Sequence, residues 1–186
     1  MVTRTMPVRG TTLTVRPATP ADADSILDLV HAAYRGGPGE VGWTTESHLL
    51  DGLRADPEML QDMIDKPDSQ ILLFLAAADL LACCQLAYAQ GTGYFGLFAV
   101  RPRQQGGGIG SAVLAEAERL AAENGCRRMR MTVLSVRDDL ISYYERRGYA
   151  RTGDTEPFPY GNERFGTPKR TDLRFAELLK PLAAAD

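Results

Sequence analysis

Residues 101–114, "RPRQQGGGIGSAVL", restrict the fold of this chain more than any other stretch, and they follow directly on the apolar run "YFGLFAV". Three consecutive glycines and a fourth two positions on cannot sit in regular structure without a cost of about 0.5–1 kcal/mol each relative to alanine. The strand must therefore end before them, and the apolar periodicity that resumes at Ile109 must open a helix. A strand, a glycine-rich turn and a helix N-terminus in that order suit an anion. Free N–H groups point outward, the helix end carries about half a positive charge, and the missing Cβ atoms let a phosphate approach closely. A mobile surface turn is the other reading of the same glycines. Two familiar phosphate loops are excluded. No lysine follows the last glycine, since Ile109 follows Gly108 and Ser111 follows Gly110. The third position of a dinucleotide fingerprint falls on Ser111 or Val113.

The surrounding pattern alternates strands and helices. "TLTVRP" reads as a strand, and the helix after it has Thr19 as N-cap, Pro20 at its first position and Asp22 as capping-box acid. Ile26, Leu29, Val30 and Ala33 recur on one face of that helix, and "RGGPGEVGW" ends it. A second helical region is expected from about Thr45 to Ile64, interrupted near Asp56-Pro57. "QILLFLAAA", "DLLACCQLAYAQ" and "YFGLFAV" form a meander, with Gly96 marking a bulge or a close backbone approach. The helix after the glycines runs from about Ile109 to Asn124 and stops at Gly125. "RMRMTVLSV" is a strand, "RDDLISYYERRG" a short helix that agrees with the macrodipole at both ends, and "YARTGD" and "TDLRFAELLK" are closing strands. The expected fold class is α/β (α+β): a mixed, mostly antiparallel central sheet of about six to seven strands with helices on both faces.

Composition narrows the partners. At 186 residues, 44% of them hydrophobic, the chain fits one core-forming domain over residues 11–180, with tails at 1–10 and 181–186. A net charge of −3 argues against a general nucleic-acid surface. No run of 18 apolar residues and no leader-like N-terminus are present, so neither a membrane nor secretion is expected and the cytoplasm is the default location. Cys83, Cys84 and Cys126 lack metal-ligand spacing and read as buried free thiols; no metal is expected. Neither His31 nor His48 has a recognisable nucleophile partner, and no G-x-S-x-G occurs.

Two motifs together point further. Gln105-x-x-Gly108-x-Gly110 resembles the pyrophosphate motif of the GCN5-related N-acetyltransferases (GNAT). About 25 residues downstream, "MTVLSVRDDLISYYERRGY" resembles the family's strand and helix, with Tyr143, Tyr144, Glu145, Arg146, Gly148 and Tyr149 in register. "VRPATPADADSILDLV" is similar to the family's opening strand and helix, so the resemblance spans residues 11 to 180. It implies a GNAT fold and acetyl-CoA as cosubstrate. It also implies transfer of the acetyl group to a primary amine of a small molecule. A protein lysine or N-terminus as acceptor, or a non-catalytic acyl-CoA-binding module, are the alternatives, and a homodimer is left open.

By the same resemblance, N–H groups from Gln105 through Gly106, Gly107, Gly108, Ile109 and Gly110 to Ser111 hold the pyrophosphate, with Arg101 and Arg103 balancing its charge. Leu97, Phe98, Ala99 and Val100 pair their backbone with the pantetheine arm, and an N–H there stabilises the oxyanion. Tyr144 is the implied general acid for the thiolate, and Tyr143, about 100° round the helix, is expected in the core. Arg137 stands where the family often has asparagine; it either reaches the cofactor or is a solvated charge at the helix entry. "YFGLFAV" lacks the carboxylate that many relatives use as base. Glu46, His48, Asp154 and Glu156 are the candidates for that role, and water held by backbone is another. The loop 154–170, with residues around Gly36 to Glu46, is expected to border the acceptor, with Trp43, Phe158 and Tyr160 as an aromatic wall.

Overall fold

The computed structural model describes residues 3–36 and 42–183. Strand β1 (Arg4–Val8) turns through Arg9 and Gly10 into β2 (Thr11–Pro17). Both turn residues have positive φ, 42° and 88°, the twist a tight hairpin between right-twisted strands needs. Residues 1–10 were expected as a tail; residues 4–8 of them are an edge strand of the sheet.

A 3₁₀ turn at Pro20–Asp22 leads into α1 (Ala23–Arg35). The expected capping acid is in place, since the Asp22 carboxylate accepts from the Thr19 N–H at 2.8 Å and also pairs with Arg16. From Thr45 the chain is not helical. It makes turns and a two-residue strand β3 (Leu50–Asp51), and only α2 (Pro57–Asp65) is a helix there. Asp56 caps α2 by accepting from the Met59 N–H at 2.8 Å, and Pro57 is its first residue, so the helix starts where a cap allows it.

The meander is β4 (Ser69–Ala76), β5 (Asp79–Ala89) and β6 (Thr92–Val100). Then come α3 (Ile109–Glu123), β7 (Arg128–Leu134), α4 (Asp138–Glu145), β8 (Ala150–Pro157), the short β9 (Thr167–Pro168) and β10 (Arg174–Pro181). The main sheet has eight strands in the order β1-β2-β4-β5-β6-β7-β10-β8, all antiparallel except the β6–β7 pair. Its eighth strand is β1, the one the sequence reading left out. A second, two-stranded sheet joins β3 to β9.

Alternation along the strands divides the core. Leu72, Phe74 and Cys84 point to one face, where they pack on Val113, Ala117 and Ile141 of α3 and α4. Leu73 and Cys83 point to the other, against Ile26, Leu29 and Leu60 of α1 and α2. All three cysteines are buried free thiols. Among the described residues, no helix is long and apolar enough to cross a membrane.

Candidate active site

The site begins where the sheet stops being a sheet. β6 and β7 run parallel and pair only at Thr92–Arg128, Gly93–Met129 and Tyr94–Arg130. Beyond Tyr94 the two strands diverge, so the β7-facing edge of residues 95–100 has no strand beside it. On its other edge β6 keeps pairing with β5, but the register shifts between Gly96 and Ala99. The extra residue is taken up at Leu97, which holds φ 42°, a conformation costly for a branched side chain. Gly96 therefore marks the irregularity, as its sequence position suggested, but the strained residue is the next one.

Two cavities open along this seam, and Phe98 lines both. The first, of about 340 Å³, lies between the diverging strands. It takes Phe95 to Phe98 from β6, Met131 to Leu134 from β7, Tyr144 and Leu140 from α4, and Tyr34, Glu46, Arg54 and Phe158 from around it. The second, of about 400 Å³, lies at the glycine loop, between Phe98, Val100, Gln105, Gly106, Gly108, Gly110 and Ser111 on one side and Arg9, Trp43, Tyr143, Arg146 and Arg147 on the other.

The loop cavity is built for negative charge. Gly108, at φ 87°, caps α3, and the first backbone bond of the helix runs from the Ala112 N–H to the Gly108 carbonyl. The N–H groups of residues 106–111 carry no hydrogen bond among the described residues. A Cβ added at Gly110 would lie 3.2 Å from the Tyr143 hydroxyl and 3.3 Å from Phe98 Cζ, so only glycine leaves this space open. Arg147 donates to Ser111 Oγ at 2.8 Å and lies 3.5 Å from the Tyr143 ring centroid. Arg9 reaches the Gly106 carbonyl from the β1–β2 turn at 3.4 Å. Arg146, named as a motif position without a role, also lines this cavity, and none of Arg9, Arg146 and Arg147 was expected to face the anion. Only Arg146 and Arg147, in "YYERRGY", stood within a quoted motif.

Other expected members lie elsewhere. Arg101 pairs with Asp28 at 2.7 Å, and Arg103 lines a separate hollow with Asp79 and Gln104. Ile109 is buried in the core, and neither Gly107 nor Ala99 is among the residues lining the two cavities. Gln105 contributes its side chain to the architecture. Its Oε1 accepts from the Trp43 N–H at 2.9 Å, and its Nε2 donates to Thr44 Oγ1 and the Val100 carbonyl. Arg137 is not solvated, and it lines neither of these two cavities. It is 4% exposed and donates to the carbonyls of Trp43, Thr44 and Thr45 and to the Asp139 carboxylate. It positions the 43–45 segment.

At the seam cavity, Tyr144 is buried, and that burial holds its hydroxyl well above the usual tyrosine range, so it is a proton carrier at any physiological pH. Tyr143 is half-buried and packs on the core as expected, but it also faces the loop cavity, tilted against Trp43 at 5.4 Å. Of the four carboxylate or imidazole candidates, Glu46 and Glu156 line the seam cavity, whereas His48 and Asp154 do not. Glu156 lies on β8 and pairs with Arg130. Glu46 is 8% exposed, and burial raises its pKa against the opposing pull of Arg54, Arg35 and Arg137. Its own N–H donates to the Tyr34 carbonyl at 2.8 Å, which ties it to the end of α1.

The loop after β8 is latched over this cavity. β9 pairs with β3, Lys169 reaches the Ser47 carbonyl at 2.7 Å, and Arg164 pairs with Asp56 at 2.8 Å. Phe158 lines the cavity and stacks on Phe175. Tyr160 instead anchors the loop, accepting from the Leu173 N–H at 2.7 Å. Trp43 belongs to the other cavity, and residues 37–41, expected at the acceptor's border, lie outside the described residues.

A mixed sheet opened by a diverging parallel pair, with an anion cradle at one end and a titratable cavity at the other, suits a phosphate-bearing ligand laid along the seam. The sequence pattern described as the acetyltransferase (GNAT) family matches residues 39–149, and the chain belongs to that family. Solved structures agree on the fold. The ribosomal-protein-S18-alanine N-acetyltransferase from Escherichia coli superposes with a TM-score of 0.68 at 14% identity, covering 94% of this chain and 96% of that one. Ard1 from Thermoplasma volcanium gives 0.67 at 17%, covering 92% and 98%. Nourseothricin acetyltransferase gives 0.64 at 18%, covering 92% and 99%. A comparison with curated proteins finds no match.

Proposed function

We propose that the protein transfers an acetyl group from acetyl-CoA to a primary amine of a small molecule, by direct attack of the amine on the thioester. The carrying observation is that Glu46 and Tyr144 line one cavity, joined through Phe98 to an anion cradle. The residues fit the cosubstrate. Free N–H groups at 106–111 and the guanidiniums of Arg9, Arg146 and Arg147 suit a pyrophosphate and a further phosphate, and the open edge of residues 97–100 suits an extended amide-bearing arm. When bound, acetyl-CoA supplies an activated acyl group and a thiolate leaving group.

Each remaining step falls to a residue of this chain. Glu46 accepts the proton that the amine nitrogen loses as it bonds to the acyl carbon. Its raised pKa makes it a better base than an exposed carboxylate. Backbone N–H groups of the open β6 edge face the charge that develops on the acyl oxygen. Tyr144 gives its proton to the departing sulfur. The reference values, near 8.5 for a thiol and 10 for tyrosine, make that transfer uphill by only about 2 kcal/mol; burial raises the tyrosine, and a thiolate formed in the same buried place is raised with it, so the gap is offset. Glu46 and Tyr144 then exchange one proton with solvent, which closes the cycle.

The names of the relatives do not choose the acceptor, since one names a ribosomal protein and another nourseothricin. The latched cavity of about 340 Å³ supports a small molecule over a peptide groove. The test is thiol release from acetyl-CoA across an amine panel, with calorimetry for coenzyme binding. Tyr144→Phe is expected to lower kcat by about 10²-fold or more and leave coenzyme affinity within about twofold. Equal loss of both would assign the hydroxyl to binding. Tight coenzyme binding without thiol release on any amine would favour a non-catalytic module.

A further inference from the structure

We infer that the acceptor is an amino acid, carrying a carboxylate beside its reactive amine and an apolar or aromatic side chain, and that Arg54 reads the carboxylate. This rests on the acyl-transfer reading above and adds the chemical class of the acceptor. Arg54 lines the seam cavity with Glu46 and is only partly exposed. Among the described residues its guanidinium makes no hydrogen bond or ion pair; its one contact is with the ring of Tyr34, 5.1 Å from the centroid. Every neighbouring cation is occupied. Arg137 is matched by Asp139 and by three carbonyls. Arg35 donates to the carbonyls of Gly52 and Leu53. Arg130 is held by Glu156 and Glu177.

The local charges do not balance. Among the described residues Glu46 is the carboxylate that Arg35 and Arg54 share, and Asp51, which also acts on Arg35, is paired with Lys169, so one positive charge is left over. Arg35 Nη1 lies 3.7 Å from Glu46 Oε2, too long for a hydrogen bond, and is the one buried side-chain nitrogen or oxygen among the described residues without a partner. The free guanidinium of Arg54, lining the cavity beside a carboxylate that it shares with Arg35, describes a place that a small anion completes. The opposite wall is apolar. Phe158 is 3% exposed and stacked on Phe175, and Phe165 and Leu50 complete that side. An acceptor with amine toward Glu46, carboxylate toward Arg54 and an apolar side chain toward Phe158 satisfies all three features at once.

The test pairs each amino acid with its carboxylate-free counterparts: phenylalanine with phenylalaninamide and phenethylamine, and leucine with leucinamide and 3-methylbutylamine. Binding to the CoA-saturated protein is read by calorimetry, and turnover with acetyl-CoA by thiol release. We expect the amino acids to be preferred about ten- to a hundred-fold in both. Arg54→Ala is expected to remove that preference by raising KM for the amino acid, while the amines change only through the lost pull of Arg54 on Glu46, which moves the acidic limb of their pH profile upward and leaves their KM as it was. Arg54→Lys should restore part of it, since it keeps the charge but not the fork. Carboxylate-dependent binding without turnover would sink the transfer reading and leave this one standing. Turnover of the plain amines at or above the rate of the amino acids would do the reverse. Binding of neither, or an Arg54→Ala variant that loses both classes equally, would overturn the assignment.

Discussion

Gly110→Ala separates the fold of the glycine loop from its use. Gly110 lies in the first turn of α3 and is not among the glycines with positive φ, so alanine is compatible with its backbone. Helix propensity favours alanine there by about 0.8–1 kcal/mol. Against this, the new methyl would stand 3.2 Å from the Tyr143 hydroxyl, 3.3 Å from Phe98 Cζ and 3.8 Å from Val100 Cγ2. Two contacts a few tenths of an ångström inside the optimum, against side chains that line an open cavity, cost about 1 kcal/mol. The two effects nearly cancel, and the melting temperature should stay within about 3 °C of the parent. Binding should not be spared. The methyl occupies the approach to the free N–H groups of 110 and 111, and losing one or two charge-assisted bonds of about 1.5–3 kcal/mol each weakens coenzyme A at least about tenfold. Thermal unfolding and calorimetry on one preparation measure both. Gly108→Ala is the contrasting control: its φ of 87° makes any side chain strained, so stability should fall by about 1–2 kcal/mol along with affinity. An unchanged dissociation constant in Gly110→Ala would refute the assignment of the cradle.

Glu46→Gln should lower kcat/KM at neutral pH by about 10²-fold without weakening coenzyme binding. In the parent protein, activity should rise with pH through a limb above the ordinary carboxylate range, because burial raises the pKa of Glu46 and only its ionised form accepts a proton; a limb near 4 would contradict this. The same raised value has the opposite sign for folding: ionising Glu46 costs stability as pH climbs above its unfolded-state pKa. Glu46→Gln should then flatten the pH dependence of the melting temperature in that window. Arg137→Ala should cost about 3 kcal/mol in urea unfolding, since it strands the carbonyls of residues 43–45; a change below about 1 kcal/mol would show that the segment holds itself. Trp43 is the sole tryptophan and lines the loop cavity, so coenzyme A should perturb the intrinsic fluorescence, and a flat titration in the presence of calorimetric binding would place the ligand elsewhere.

The strands and the helices α1, α3 and α4 were legible because their signals are local: alternation, apolar spacing, Thr19 and Asp22 at one start, Gly125 and Gly148 after two ends. Residues 45–56 were not. Leu49, Leu50 and Ala55 are buried, but in a path fixed by Arg137 and by the β3–β9 pair, contacts that bridge more than a hundred positions in the latter case. Composition could name Glu46 as one of several candidate bases. Only the fold shows that it is buried in the cavity while His48, two residues on, is exposed. Arg9 was missed for the same reason, since its role depends on a hairpin turn meeting a loop almost a hundred residues away. Tyr143 and Tyr144 could be told apart only by helix rotation, and that rotation packs both on the core while each also lines one cavity.

The parting of β6 from β7 after three paired residues has a consequence for how such a protein can diversify. Whatever docks along that exposed border reads main chain, and main chain is the same under every side chain. The side chains that line the acceptor chamber from elsewhere, such as Leu140, Phe158 and Phe165, can be exchanged to suit a new acceptor while the docking of the donor on that border stays as it was. One half of the specificity is written in the backbone and inherited unchanged, and the other half is left free to drift.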